Sequence, residues 1–309
     1  MFRILVVRLG SMGDVIHALP AVASLKHSFP HSRLSWVIKP RWSPLLEGNP
    51  FVDEVIPFTR SAREILATRR LLRRERFDLA VDLQGLIQSA LVAASAKADK
   101  IVGLARSQAR ESFAAMFYSS TVRTSAVHRV DRYLELVAAA GASNLLRTFP
   151  LPPGKPEGKL PEEPFVLACP LAGWGSKQWP MEHYTELARR LKMPLVVNGP
   201  PSSEEVLRQI EGAHVHLSGI HGLIDATRRA QAIVGVDSGP VHLAAALGKP
   251  GVAIYGPTDP ASHGPYGGTL QVLRSSTAIT SYKRHAIDPG SMRAVSVAEV
   301  LEALEMCPA

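Results

Sequence analysis

The chain of 309 residues is 46% hydrophobic and 20% charged, with a formal net charge of +8. Such a make-up predicts a soluble globular protein of two ordinary domains, each large enough for its own core. No apolar run approaches the roughly 20 residues of a membrane span, and the run at the start is too short for a signal peptide. Cys169 and Cys307 form neither a disulfide framework nor a metal-ligand spacing, so a reducing, cytoplasmic setting is expected.

The charge is uneven. Residues 1–158 hold 22 Lys and Arg against 13 Asp and Glu, a balance of +9, while residues 159–309 hold 13 against 14, a balance of −1. Clustered charge focuses potential, which points the first half toward a polyanionic partner.

In chain order, short apolar runs alternate with helical periodicity, the pattern of an α/β protein with parallel strands. The first half predicts strands at 3–8, 34–38, 54–57, 78–82 and 100–103, and helices at 14–29, 62–76, 85–96 and 125–141. The first strand, RILVVR, runs through Leu-Gly-Ser-Met-Gly into Asp14, at the start of a helix. The end of a strand and start of a helix usually suits the binding of phosphate, so an Asp14 carboxylate there is either a helix cap or a working group. Residues 69–77, RRLLRRERF, put arginines at helical spacing around Leu71, Leu72 and Phe77, either a solvated face or one held at an anionic membrane surface. The stretch 151–164 is dense in Pro, Gly and charge and reads as a linker.

The pattern then restarts, with strands at 165–169, 194–198, 214–217, 232–236 and 251–255, and helices at 181–192, 203–211, 222–230, 240–247 and 296–306. After the first of these strands comes CPLAGWGSKQWP, where Gly173 and Gly175 permit close backbone approach and Lys177 supplies a point charge suited to phosphate. After the fourth comes VDSGPVHLAAAL. Pro240 opens its helix, and the free amides beside Asp237, Ser238 and Gly239 make either a simple cap or an anion site. Together the two loops suit a nucleotide sugar: amides and Lys177 for the diphosphate, Asp237 for sugar hydroxyls. Neither LGSMGD nor LAGWGS has the G-x-G-x-x-G spacing of a dinucleotide site, and neither a phosphate-loop motif nor a G-x-S-x-G elbow occurs. His214 and His216 read as strand alternation rather than a metal site.

LGSMGDVIHALPAV, FDLAVDLQGLIQSAL, GSKQWP, VDSGPVHLAAAL and YGPTDP occur in the order seen in ADP-heptose:lipopolysaccharide heptosyltransferases, glycosyltransferase family 9. ARSQARESFAAMFY and AVHRVDRYLELV extend the resemblance, which is greatest to the type I enzymes. The resemblance implies a GT-B architecture, two Rossmann-like parallel-sheet domains facing across a cleft. Residues 1–152 would bind the acceptor and 153–309 the nucleotide sugar. It implies inverting, metal-independent transfer of heptose from ADP-heptose to the Kdo region of the lipopolysaccharide inner core, with no cofactor. Asp14 matches the family's general base and Lys177 the lysine on the donor phosphate, with Gly13 beside the donor. Asp237 matches the carboxylate on the heptose hydroxyls, and Ser238, Gly239, Val241 and His242 the amides at the diphosphate. A family glutamate on the nucleoside falls near Ser203, so Glu204 or Glu205, one or two residues on, is its expected replacement. Arg60, Arg63 and Arg110 would meet the anionic acceptor. The expected partners are these two substrates and an anionic inner-membrane surface, with no nucleic acid and a monomeric chain.

Overall fold

The computed structural model describes residues 1–59, 62–281 and 290–307, and of residues 62–64 the backbone alone. The chain divides into two compact units, Met1–Pro152 and Pro153–Ala309.

In the first unit the elements run β1 (Arg3–Val7), α1 (Met12–Ser28), β2 (Arg33–Ile38), β3 (Glu54–Pro57), α2 (Ala62–Arg74), β4 (Leu79–Asp82), α3 (Ile87–Ser95), β5 (Lys100–Leu104), β6 (Ser120–Val122) and α4 (Arg129–Ala140). The six strands form one sheet in the order β3-β2-β1-β4-β5-β6, and every pairing is parallel. Helices cover both faces, so Ile4, Leu5, Val6 and Val7 are all fully buried and the strand reads as an unbroken apolar run. α1 and α4 pack together on one side; Leu72 of α2 and Val92, Ala93 and Ala96 at α3 join Leu5, Val7 and Ala80 in the core on the other.

The second unit repeats the plan: β7 (Val166–Cys169), α5 (Met181–Arg190), β8 (Leu195–Gly199), α6 (Glu204–Leu207), β9 (His214–Leu217), α7 (Ile220–Arg229), β10 (Ala232–Val236), α8 (Gly239–Ala246), β11 (Gly251–Tyr255), α9 (Pro260–His263), β12 (Leu270–Arg274) and α10 (Val297–Glu305). Its sheet has the order β12-β11-β10-β7-β8-β9, again parallel throughout. In each sheet the order reverses direction beside the first strand, between β1 and β4 and between β7 and β10. Open parallel sheets bind ligands at such a point, outside the carboxyl ends of the strands.

Several local expectations change. β6 and β12 are edge strands that the sequence did not announce: Ser-Thr-Val is too short and polar, and β12 is exposed along its middle. The helix expected over 203–211 shrinks to one turn, α6, preceded by a 3-10 turn at Pro201–Ser203. The 151–164 segment has no helix or strand, yet it is tied down: the Gly219 N–H donates to Glu157 Oε2 at 2.6 Å, and the ring nitrogens of His214 and His216 reach the Lys159 and Glu157 carbonyls at 2.8 and 2.5 Å. The two histidines of β9 thus hold the connecting segment, and among the described residues no cluster has the side chains to hold a metal ion.

Candidate active site

At the first switch point, β1 gives way to Arg8, Leu9, Gly10 and Ser11 before α1 begins. Gly10 is required twice over: its φ is +134°, and a Cβ there would collide with the Trp42 indole. The turn sets Ser11 as the helix cap, with Gly13 and Asp14 in the first helical turn. Ser11 donates to Asp14 Oδ2 through both its N–H (3.0 Å) and its hydroxyl (2.9 Å). Asp14 Oδ1 takes the other contact, an ion pair with Arg8 at 2.5 Å; the Arg8 side chain is 3% exposed and that of Asp14 22%. Burial alone would raise the Asp14 carboxyl, but Arg8, then Arg129, the Ser11 N–H and His17 outweigh it and hold the group well below the usual carboxylate range. Asp14 is therefore a fixed anion with part of its edge open to solvent.

The neighbouring loop, after β4, is built around Asp82, which is fully buried. It accepts from the Tyr118 hydroxyl (2.7 Å), the Ser89 hydroxyl (2.8 Å) and the Gln84 N–H (2.8 Å). Gln84 in turn accepts from the Leu9 N–H at 2.8 Å, locking the two loops together. Gly85, at φ +70°, lets the Arg110 backbone pass close by, so the exposed Arg110 rises from this same end of the sheet. Arg60 lies outside the described residues, as does the side chain of Arg63.

In the second unit Asp237 follows β10 and Lys177 follows β7, the two strands flanking the switch point. They meet: Lys177 Nζ lies 2.6 Å from Asp237 Oδ2, with side chains 15% and 9% exposed. The Thr258 hydroxyl, on the loop after β11, donates to the same oxygen, and His242 Nε2 lies 4.0 Å from Asp237 Oδ1. The Lys177 ammonium also sits 4.4 Å from the centroid of the Trp174 ring. A lysine expected to wait for phosphate is thus committed to the carboxylate expected to hold sugar.

Ser238 caps α8 by position, yet its side chain makes no cap bond and its buried Oγ has no partner among the described residues. A buried hydroxyl without a partner at the positive end of a helix suits an anionic ligand. The backbone amides that an α-helix starting at Ser238 leaves unused are those of Ser238, Gly239 and Val241, since Pro240 has none. His242, one residue further along α8, turns its side chain toward Asp237, with Nε2 4.0 Å from Oδ1. Val241 has its side chain in the core, against Gly235, so only its backbone faces outward chemistry. Glu204 starts α6 at the carboxyl end of β8 but pairs with Arg208 at 2.5 Å on the surface, an (i, i+4) contact. Arg8, Trp174 and Thr258 escaped notice as site residues. All three lie inside the motifs RILVVR, CPLAGWGSKQWP and YGPTDP, but nothing in a sequence marks which side chain turns back onto the next loop.

The family model described as "Glycosyltransferase family 9 (heptosyltransferase)" matches residues 65–289. Lipopolysaccharide heptosyltransferase 1 of Escherichia coli K12 is 29% identical, over 88% of this chain and 93% of its own. The Pseudomonas aeruginosa protein of the same name is 30% identical, over 86% and 81%. Among solved structures, E. coli heptosyltransferase WaaC with ADP superposes with a TM-score of 0.81 at 25% identity, covering 98% of this chain and 99% of that one. E. coli ADP-heptose lps heptosyltransferase II follows at 0.77 and 25%, with 98% of each chain covered. The two parallel α/β units are those of the GT-B fold class, and the chain belongs to glycosyltransferase family 9, the heptosyltransferases.

Proposed function

We propose that this transferase moves a heptose from ADP-heptose to the Kdo region of a lipopolysaccharide inner core, inverting the anomeric centre, as a type I enzyme. The observation that carries it is the constellation at α8: a largely buried Lys177–Asp237 pair beside a Ser238 hydroxyl that has no partner among the described residues, at the start of a helix. Residues 153–309 form the donor-binding domain, with Lys177 and the amides of Ser238, Gly239 and Val241 stabilising the diphosphate as charge builds on it. Asp237 takes the heptose hydroxyls, and the donor's arrival divides Lys177 between carboxylate and phosphate. Residues 1–152 form the acceptor-binding domain, in which Asp14 takes the proton of the attacking hydroxyl. Adenine as the base draws support from the relatives solved with ADP and with ADP-2-deoxy-2-fluoro heptose.

The acceptor's anionic groups meet the basic first unit at Arg60, Arg63 and Arg110. The chain works at the cytoplasmic face of the inner membrane as a peripheral monomer. The face offered to that membrane is apolar with a basic rim: Leu66 on α2, Ile87 and Leu91 on α3, and Phe113 and Met116 on the turn packed against α3 are exposed. Arg69, Arg70 and Arg73 surround Leu66 at helical spacing. No described helix is long and apolar enough to cross the membrane. A second reading, heptosyltransferase 2 activity, is favoured by the 29% identity to that enzyme of Salmonella typhimurium over 91% of this chain.

The test is ADP release with ADP-heptose plus a Kdo-terminated acceptor, with an acceptor already bearing one heptose, and with donor alone. Release with the first acceptor supports the proposal, release only with the second moves the chain to type II, and ligand binding without release makes it a binder.

A further inference from the structure

Ser11 holds one oxygen of Asp14, and a single side chain, that of Arg8, holds the other. Two guanidinium nitrogens are divided between two loops: one pairs with Asp14 Oδ1 at 2.5 Å, the other donates to the Leu83 carbonyl at 2.9 Å. Leu83 follows β4, so Arg8 bridges the two strand ends at the switch point. Its surroundings hold it there. The guanidinium sits over the Tyr133 ring, 5.7 Å from the centroid, and the Trp36 indole N–H donates to the Arg8 carbonyl at 3.1 Å. A lysine would keep the charge but, as a point charge on a flexible stem, would not reproduce the planar fork that serves both partners.

The other half of the argument is the inventory of lone pairs. A carboxylate has about four acceptor positions. Ser11 occupies two at Oδ2 and Arg8 one at Oδ1, which among the described residues leaves one on Oδ1. We propose that Arg8 is a positioning residue for the transfer: anchored on the Leu83 carbonyl, it fixes the oxygen of Asp14 offered to the acceptor hydroxyl. This rests on Asp14 being the proton acceptor. In the step itself the acceptor oxygen bonds the anomeric carbon as its proton passes to Oδ1. The bond from that carbon to the diphosphate oxygen breaks, and its electron pair leaves with the diphosphate.

Other charged and titratable groups face Asp14. His17 comes from its own helix, with the His128 ring edge-on to it, and Arg129 and Tyr133 come from α4, while Asp82 at the end of β4 acts on Arg8 and Tyr133. Arg41, on the turn packed against α1, stacks on Trp42 instead. Arg8 is the largest cationic influence on the carboxylate, and Arg129 the next. Loss of Arg8 therefore moves the Asp14 carboxyl upward, and Arg129 only partly restrains it.

The experiment measures kcat against pH, and KM for ADP-heptose, in the full chain carrying Arg8→Met, Arg8→Lys or Asp14→Asn. Arg8→Met is expected to lower kcat by about 10²-fold, the effect of a misplaced reacting group, with donor KM within about twofold. The acid limb of its kcat profile moves to higher pH than in the parent. Arg8→Lys keeps the acid limb near the parent's and recovers part of kcat. An unmoved acid limb in Arg8→Met, or a donor KM rising in step with the fall in kcat, overturns the proposal. Should Arg8→Met fail to fold, Arg8→Lys decides: a lowered kcat with an unmoved acid limb supports it, and an unchanged kcat overturns it. Near-parental turnover in Asp14→Asn removes the proton-acceptor reading itself; an inactive Asp14→Asn beside an unmoved Arg8→Met profile removes only the role of Arg8.

Discussion

Replacing Lys177 by Met keeps the stem's bulk and deletes the charge, which strands Asp237 at 9% exposure with, among the described residues, Thr258 and a distant His242 for company. At 2.6 Å the pair has a Coulomb energy of about 6 kcal/mol at an effective dielectric of 20. Most of that offsets the desolvation of the two ions. Removing one partner of a buried pair nonetheless destabilises by about 3–5 kcal/mol, because the remaining charge is left unmatched. Thr258 and the start of α8 still serve Asp237, so the low end applies, about 3 kcal/mol. For a unit of this size, that lowers the melting temperature by roughly 6–12 °C. The reverse variant, Asp237→Asn, behaves differently: Lys177 can extend into water, and the loss is about 1 kcal/mol. The double variant Lys177→Met/Asp237→Asn has no stranded charge, so its stability returns to within about 1 kcal/mol of the parent, a strong positive coupling. Thermal unfolding of the four proteins, with ADP-heptose titrations alongside, checks this. All three variants lose donor affinity, and only stability recovers in the double. Additive destabilisation would show that the pair is incidental and would remove the premise that the donor must divide it.

Asp14→Asn is expected to cut turnover by about 10²–10⁴-fold. It will not be silent for folding, because it leaves the buried Arg8 guanidinium against a neutral amide; a loss of roughly 2 kcal/mol by urea unfolding is expected. The sign of the pH effect follows from the depressed Asp14 carboxyl. Its stabilisation is fully present above the ordinary carboxylate pKa of about 4 and is lost as pH falls below it, so the stability gap between parent and Asp14→Asn should narrow from pH 5 to pH 3. Gly10→Ala forces a Cβ into the Trp42 indole at a φ of +134°, and a loss of about 2–3 kcal/mol with lowered activity is expected in the same unfolding assay. In flotation with vesicles, anionic lipid at low salt should retain the parent, whereas Leu66→Ser/Met116→Ser should release it without a change in turnover on a soluble acceptor; equal retention by neutral lipid would count against the basic rim.

The alternation of buried strand and amphipathic helix was legible because a parallel sheet covered on both faces needs continuous apolar runs. β10, Ala-Ile-Val-Gly-Val, is buried at every position, and the sequence reading matches its bounds. Edges are where legibility ends. β6 and β12 earn their strand geometry from a neighbour's hydrogen bonds rather than from their own residues. The chemistry was legible to the same depth. The residues following β1, β7 and β10 could be named because loops at strand carboxyl ends carry ligands. That Lys177 pairs with Asp237, 60 positions away, belongs to the packing of two loops, which no local pattern records. Arg8 shows the same limit. Its place directly after β1's apolar run says only that it is unusual, and its partners come from the loop after β4 and from α1.

The two thiols differ in a way that gives the second unit a built-in reporter. Cys169 ends β7, opposite Gly235 of β10, is 2% exposed, and burial pushes its thiol up to about 12. Cys307, after α10, is only partly covered. A mild alkylating reagent should therefore modify one sulfur rapidly and the other only when the central strands part. The slow reaction would time the opening of the sheet directly beneath the Lys177–Asp237 pair, with no label introduced and no residue changed.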